Sequence, residues 1–209
     1  GSTNEVGIFE MRSQGLVEVD NPSLAFLSQR VGEAVGSVVV PTLEGSRPLL
    51  VEIQALTNTT SFGLPRRTAN GVDFGRLLLI VAVLSKRVGL KLGNQDIIAN
   101  VTGGLKVGEP AADLGIALAI ASSYRGSGVS PQLVAVGELG LSGELRAVSQ
   151  LDRRVGEAAR LGFKRCLVPR AGVRISPTPK GIEIVPVSTL REAIAVGLGR
   201  GKINSAQEG

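Results

Sequence analysis

Hydrophobic residues follow strand-like patterns in the first part of the chain. Residues 5–11 and 16–19 alternate or cluster apolar side chains around a Ser-Gln-Gly turn, which predicts a small hairpin. Residues 35–43 and 48–56 are rich in Val, Leu and Ile, and the connection at 44–47 has the length and chemistry of a hairpin loop. The beginning of the chain is therefore predicted to be β-structure.

Strands and helices mix in the remainder. The pattern predicts a turn and helix start at 21–23, an extended polar loop at 58–71, and a long helix at 73–88 with Asp73 near its cap. Further along, it predicts a strand at 132–136, a glycine-rich turn with a short strand at 137–146, an amphipathic helix at 149–162, strands at 164–168 and 181–187, and a helix at 188–196 capped by Ser188. This order favours an α+β or mixed α/β domain over a doubly wound sheet.

The stretch from 95 to 124 is the predicted core unit. A strand pattern runs into a glycine-rich loop that carries Lys106, and a helix follows with Glu109 and Pro110 as suitable first-turn residues. From Gly115 this helix is almost wholly apolar, so it is expected to be buried on most sides.

Composition fits one domain with an aliphatic core. The chain has 209 residues, of which 43% are hydrophobic and only 3% aromatic. We assign residues 5–198 to the domain, 1–4 to a tag remnant and linker, and 199–209 to a flexible tail. The longest apolar run, 77–84, is too short to cross a membrane. Cys166, the only cysteine, is predicted to be a core residue, and its isolation fits a reducing cytoplasm.

The chain contains no histidine, which limits its chemistry. Ser-His-Asp and Cys-His catalysis are excluded, and so are ordinary zinc sites. A phosphate-binding GxxxxGK[ST] loop is absent as well. Carboxylate chemistry, a Ser-Lys or Thr dyad, or no catalysis remain. The net charge of +5 favours an anionic partner.

Three stretches together resemble the proteolytic domain of the Lon family. They read NVTGGLKVGEPAADLGIALAIASS, VGELGLSGELRAVSQLDRRVGEAARLG and KRCLVPR. In that family a Ser in the first stretch is the nucleophile and a Lys in the second is the general base. Such a pair works without histidine, because a desolvated lysine loses its proton near neutral pH. The resemblance implies a Lon proteolytic-domain-like α+β fold, with mixed sheets packed against helices.

Both catalytic positions depart from the Lon pattern. Alignment on the Gly-Ile pair at 115–116 places Asp113 at the nucleophile position, and the two preceding residues are alanines. Alignment on the Ala-rich helix that ends in Gly162 places Asp152 at the base position. A shift by one residue offers an arginine, which does not deprotonate. The resemblance therefore implies a peptidase site without its chemistry.

Further stretches are similar to the C-terminal Lon-like domain of the bacterial RadA/Sms family of DNA-repair proteins. They read GIFEMRSQGLVEVDNPS, SFGLPRRTANGVDFGRLLLIVAVLSKR and EPAADLGIALAIASS. Members of that family carry a zinc finger and a RecA-like ATPase upstream, and act on branched recombination intermediates as ring-shaped, ATP-driven DNA motors. The resemblance implies a DNA-binding, ring-forming scaffold, with a hexamer as the expected ring. It also implies no cofactor here, with ATP, magnesium and zinc expected only in the upstream modules.

DNA binding requires accessible lysine or arginine residues that contact phosphates. The best candidates lie at element edges that are expected to converge on one face, and the second-rank candidates lie in a polar loop and at a helix exit. They are Arg76, Lys106 and Arg146, followed by Arg66, Arg67 and Lys86. Each taken singly has the alternative interpretation of a surface charge or structural ion pair. Scarce aromatics favour sequence-nonspecific backbone contacts over base stacking.

Two other functions remain open. One is a residual Ser-Lys-family peptidase or carboxylate hydrolase, with Asp113 and Asp152 near each other where the dyad would be. Alternatively, the domain could serve only to assemble oligomers, which predicts rings without DNA retention.

Overall fold

A seven-stranded mixed sheet organises the fold. The computed structural model describes residues 9–12, 15–18 and 34–199, with the side chains described from residue 34 onward. Its strands are β1 (Phe9–Arg12), β2 (Gly15–Glu18), β3 (Ser37–Glu44), β4 (Arg47–Thr59), β5 (Arg67–Asn70), β6 (Gln95–Val101), β7 (Leu133–Ala135), β8 (Glu138–Leu139), β9 (Leu145–Arg146), β10 (Arg165–Pro169) and β11 (Glu183–Val187). The large sheet has the order β11-β10-β7-β3-β4-β6-β5, while β1–β2 and β8–β9 form separate hairpins.

Antiparallel pairing lies in the centre of the sheet and parallel pairing lies on both sides of it. Strand β4 pairs antiparallel with both β3 and β6. Strands β3, β7, β10 and β11 are parallel neighbours, and β5 runs parallel to β6 at the other edge. The sheet is thus mixed, which confirms the α+β or mixed α/β class.

Among the described residues, four α-helices cover the sheet: α1 (Phe74–Val83), α2 (Asp113–Arg125), α3 (Leu151–Arg160) and α4 (Leu190–Gly197). Val38 and Val40 of β3 belong to the core that α1, α2 and α4 share, whereas Val39 belongs to a smaller core with α3. Because successive strand residues point to opposite faces, α3 lies on one face of the sheet and the other three helices lie on the opposite face. Cys166 is fully buried in the smaller core, as predicted.

Most predicted elements are confirmed, including the β1–β2 and β3–β4 hairpins. The loop predicted at 58–71 was wrong, because β4 continues to Thr59 and residues 67–70 form β5. The sequence RTAN lacks the apolar alternation of a half-buried strand. It is held to β6 by backbone pairing and by side-chain hydrogen bonds from Asn70 to Asn100 and from Arg67 to Gln95. The predicted turn at 21–23 and the tail from residue 200 lie outside the described residues.

Helix boundaries required three corrections. The helix predicted at 73–88 is α-helical only to Val83 and continues as a π-helical turn to Val88, although Asp73 caps it as expected. Helix α2 begins at Asp113 after a 3₁₀ turn at Pro110–Ala112, so Glu109 precedes the first turn. Helix α4 is capped by Thr189 rather than Ser188, since the Thr189 hydroxyl accepts the Glu192 N–H at 3.1 Å. None of the described helices is both long and apolar enough to cross a bilayer.

Candidate functional site

Asp113, at the position that the resemblance assigns to the nucleophile, is fully buried at the start of α2. Its Oδ1 accepts a hydrogen bond from Arg76 Nε at 3.1 Å, and its Oδ2 is bonded to Arg76 Nη2. The backbone N–H of Leu139 donates to Oδ2 at 3.0 Å. A bidentate ion pair and a backbone donor thus saturate this carboxylate.

The electrostatics of the pair follow from burial. Burial raises the pKa of Asp113 above its ordinary value, and the opposing effects of Arg76 and of the Leu139 N–H only partly offset it. The hydrogen bond to Asp113 raises the pKa of Arg76, so the guanidinium remains charged. Arg76 of α1 and Leu139 of the β8–β9 hairpin both bond to Asp113 of α2. These bonds link three segments that are distant in sequence.

Asp152, at the position of the general base, is exposed in the first turn of α3. None of the bonds of Asp113 goes to Asp152. Arg154 of the same helix is fully buried; its Nη2 donates to Glu109 Oε2 at 3.0 Å and its Nη1 donates to Pro41 O at 3.0 Å. Arg154 Nε also donates to Ser149 O at 2.8 Å. Helix α3 is therefore tied to the sheet by an arginine at a place where the Lon pattern has catalytic machinery.

The first-rank candidates are brought to the N-terminal end of α1. Lys106 is exposed and shares with Asp73 a cleft of about 240 Å³, which is lined by Gly71, Val72, Asp73, Lys106, Val107 and Gly108. Arg146 is exposed on β9, opposite Glu138 of β8. Glu138 adjoins the Leu139 that contacts Asp113. Each of the three candidates therefore has a carboxylate near it: Asp73 near Lys106, Glu138 opposite Arg146, and Asp113 in an ion pair with Arg76.

The second-rank candidates lie at the other end of α1. Arg67 donates from Nη2 to Leu92 O at 3.0 Å and from Nη1 to Gln95 O, so it clamps two neutral carbonyl groups. Arg66 and Lys86 are exposed, and the part of the chain that the structure describes records no ion pair for either.

Two further cations at this end were missed by the sequence analysis. Arg87 follows Lys86 in the π-helical turn, and Lys91 follows in the loop at 89–94; both are exposed. Arg87 Nε donates to the Leu141 carbonyl at 3.2 Å, which is again a neutral acceptor. The available signal was the absence of acid: segments 60–72 and 84–95 contain five Lys and Arg residues and no Asp or Glu. We call these five residues, Arg66, Arg67, Lys86, Arg87 and Lys91, the basic end.

Comparison with known proteins places the chain in a family. A family model described as subunit ChlI of Mg-chelatase matches residues 54–172, more than half of the chain. DNA repair protein RadA of Halalkalibacterium halodurans is 54% identical over 200 residues, covering 96% of this chain and 44% of that protein. The RadA proteins of Bacillus subtilis and Streptococcus pneumoniae are 53% and 52% identical over 95% and 93% of this chain, which correspond to 43% and 46% of their own lengths.

The chain spans less than half the length of these relatives. The likeness nevertheless covers nearly all of this chain at more than half identity, and it agrees with the resemblance carried by the EPAADLGIALAIASS and SFGLPRR stretches. The chain therefore belongs to the family that the ChlI model describes, and over nearly its whole length it is similar to DNA repair proteins named RadA.

Proposed function

We propose that this chain is a non-proteolytic, DNA-binding and ring-forming part of a RadA-type DNA repair protein, and that the ATP-driven motor it serves lies outside the chain. The names of its relatives support a role in DNA repair. The DNA contacts are proposed to be sequence-nonspecific and made mainly to phosphates.

The loss of peptidase function is supported by the environment of the two acids. A serine nucleophile needs an accessible hydroxyl, and its lysine base needs to be within hydrogen-bond reach. Asp113 offers a buried carboxylate whose oxygens already accept three donors, and Asp152 is exposed on α3. This arrangement stabilises the fold and supplies neither a nucleophile nor a base.

The observation that carries the proposal of DNA binding is the excess of positive charge at the basic end, where Asp96 is the carboxylate that acts on Arg66 and Arg67. Arg67 and Arg87 bond to backbone carbonyl groups and not to carboxylates. Elsewhere in the described chain, arginines form ion pairs with Asp113, Glu109, Glu157, Glu183 and Glu192. Five cations against one nearby carboxylate leave a net positive surface, which is the electrostatic footprint of phosphate binding.

Lys106 and Arg146 remain candidates for a second group of phosphate contacts at the N-terminal end of α1. Arg76 is less suited, because its guanidinium is bonded in bidentate fashion to Asp113. Replacing Arg76 would therefore disturb the fold as well as any contact with DNA. DNA-binding tests should use the other residues.

The test compares two triple variants of equal charge. Arg66→Gln/Lys86→Gln/Lys91→Gln removes exposed charges from the basic end, and Lys164→Gln/Arg174→Gln/Lys180→Gln removes three exposed charges elsewhere. Affinity for a fluorescent oligo(dT) is measured by anisotropy across salt. Every phosphate that the protein no longer neutralises reduces the salt slope by about 0.7, so the first variant should lose about two in slope and the second should keep the wild-type slope.

Equal slopes for the wild type and both variants would contradict the assignment of the basic end. Mass photometry of the same samples tests ring assembly, for which a hexamer is expected. Rings without any DNA retention at low salt would favour the purely structural alternative.

A further inference from the structure

The connection between β4 and β5 presents two apolar side chains to solvent. Phe62 is 94% exposed and Leu64 is 88% exposed, the highest values among the large hydrophobic residues of the described chain. We call these two residues the apolar tip. Full exposure of Phe and Leu forgoes the stabilisation that burial of such side chains provides. An apolar tip that the rest of the domain leaves uncovered is suited to a partner.

The loop that carries the tip is held at both of its ends. Asp96 Oδ1 accepts hydrogen bonds from Thr60 Oγ1 at 3.0 Å and from the Arg66 N–H at 2.8 Å. The Thr60 N–H also donates to Asn94 O at 2.8 Å, which fastens the loop to the neighbouring loop at 89–94. These bonds lower the pKa of Asp96 and keep its carboxylate ionised and turned toward the loop backbone. These hydrogen bonds fix the loop that carries the apolar tip at the edge of the sheet.

The surroundings of the tip indicate the chemistry of its partner. Arg66 lies two residues beyond Leu64, and Lys91 belongs to the adjacent loop that Thr60 contacts. Four cations of the basic end lie in these two loops or in the π-helical turn that leads into one of them, and the fifth, Arg67, begins β5. Asp96 is the acid beside Arg66 and Arg67. Contact between this surface and the same surface of a second copy would bring like charges together. A partner that offers both negative charge and flat apolar faces fits better.

We propose that the apolar tip stacks on the bases of single-stranded DNA, with Phe62 against a base and with Arg66 and Lys91 on flanking phosphates. The proposal rests on the DNA binding proposed above and adds the form of DNA that this surface takes. Bases of a duplex are stacked on one another, whereas every base of a single strand has a free face for an aromatic ring. The small number of aromatic residues argues against extensive base stacking. The exposed ring of Phe62 beside basic residues is nevertheless enough to stack on one base.

The absence of tryptophan from the chain provides a direct probe. Phe62→Trp places a single indole at the tip, and Val35→Trp places one at an exposed apolar position in the turn before β3 as a control. Binding of oligo(dT) is followed by the anisotropy of its fluorescein label. At saturation, the DNA should quench the fluorescence of Trp at 62 and leave that of Trp at 35 unchanged. Stacked indole is quenched by bases, whereas electrostatic binding alone leaves it free.

The affinity of Phe62→Ala supplies the second measurement. Loss of one stacked base should weaken oligo(dT) binding by about ten-fold, with the salt slope unchanged because no charge is removed. Affinity for a blunt duplex of the same length should stay near that of the wild type. Unquenched Trp at 62 on bound oligo(dT), or wild-type affinity of Phe62→Ala, would overturn the proposal.

Three outcomes separate base stacking by the apolar tip from the alternative interpretations. A change in the sedimentation of Phe62→Ala with unaltered affinity for oligo(dT) would assign the tip to contacts between copies and overturn base stacking. Failure of the wild type to bind oligo(dT) at low salt would overturn both DNA binding and stacking. Salt-dependent binding without an effect at Phe62 would leave the first intact and reject the second.

Discussion

Asp113 shows how a carboxylate can be buried in this fold. Desolvation of an ionised group is costly, and here the cost is offset by a bidentate arginine and a backbone N–H. The same three donors give the residue no freedom to act on a substrate. Its role at the residue scale is to hold the starts of α1 and α2 against β8.

The pH dependence of stability should report this burial. Because burial raises the folded-state pKa of Asp113 above its unfolded value of about 3.9, folding takes up a proton in this range. The associated stabilisation is fully present below the unfolded pKa and is lost as pH rises through the folded pKa. Relative to Asp113→Asn, the wild type should therefore gain stability as pH falls from 7 toward 4, measured by urea unfolding.

The opposite trend would mean that the attraction of Arg76 outweighs desolvation. In that case the folded-state pKa of Asp113 lies below the unfolded value, and the wild type loses stability relative to Asp113→Asn on acidification. Asp152→Asn serves as the matched control, because its exposed carboxylate lies outside this pair.

Helix α2 packs on β3 more closely than a side chain at position 115 permits. A Cβ built on Gly115 would lie 2.1 Å from Val40 Cγ2 and 3.8 Å from Val38 Cγ1. This glycine therefore sets the distance between the central helix and the central strand. The buried helix can be nearly continuous in small and apolar residues because the sheet lies directly against it.

Gly115→Ala should destabilise the protein by about 1–3 kcal/mol, because a methyl group enters a packed contact. Gly156→Ala in α3 is the matched control, since no atom lies within 4 Å of its added Cβ. The control should gain up to about 1 kcal/mol from helix propensity. Thermal or urea unfolding of both variants measures the difference, and equal stabilities would contradict the close packing.

At the element scale, sequence patterns identified what depends on local chemistry. The apolar run after Gly115 and the Val-rich β3 and β4 were predictable, because burial leaves a periodic mark on the sequence. Strand β5 was missed because it lies at the edge of the sheet and its sequence, RTAN, shows no alternation of apolar and polar residues. The pairs Arg76–Asp113 and Arg154–Glu109 were unpredictable, because their partners are 37 and 45 residues apart and only the fold brings them together.

The whole molecule distributes its charges unevenly. Arg154, Arg160, Arg165 and Arg170 have carboxylate partners. At the basic end, Arg67 and Arg87 donate to backbone carbonyl groups, and Asp96 is the nearby carboxylate. The net charge of +5 therefore understates the local field at this end. A surface of this kind attracts polyanions over several ångströms at low salt.

This asymmetry predicts chromatographic behaviour that is independent of DNA. The basic-end variant Arg66→Gln/Lys86→Gln/Lys91→Gln should elute from a sulfonate cation exchanger at lower salt than Lys164→Gln/Arg174→Gln/Lys180→Gln, although both have the same net charge. Adsorption depends on the most positive patch and not on the total charge. Elution of both variants at one salt concentration would mean that the charge is evenly spread.

The Arg76–Asp113 pair also limits how this domain can change over generations. A serine at position 113 would leave the Arg76 guanidinium without its carboxylate and the Leu139 N–H without its acceptor. A single substitution toward a hydroxyl thus lowers stability before any catalytic benefit is available. Purifying selection can therefore preserve Asp113 through folding alone, whatever ligand the surface of the domain acquires or loses.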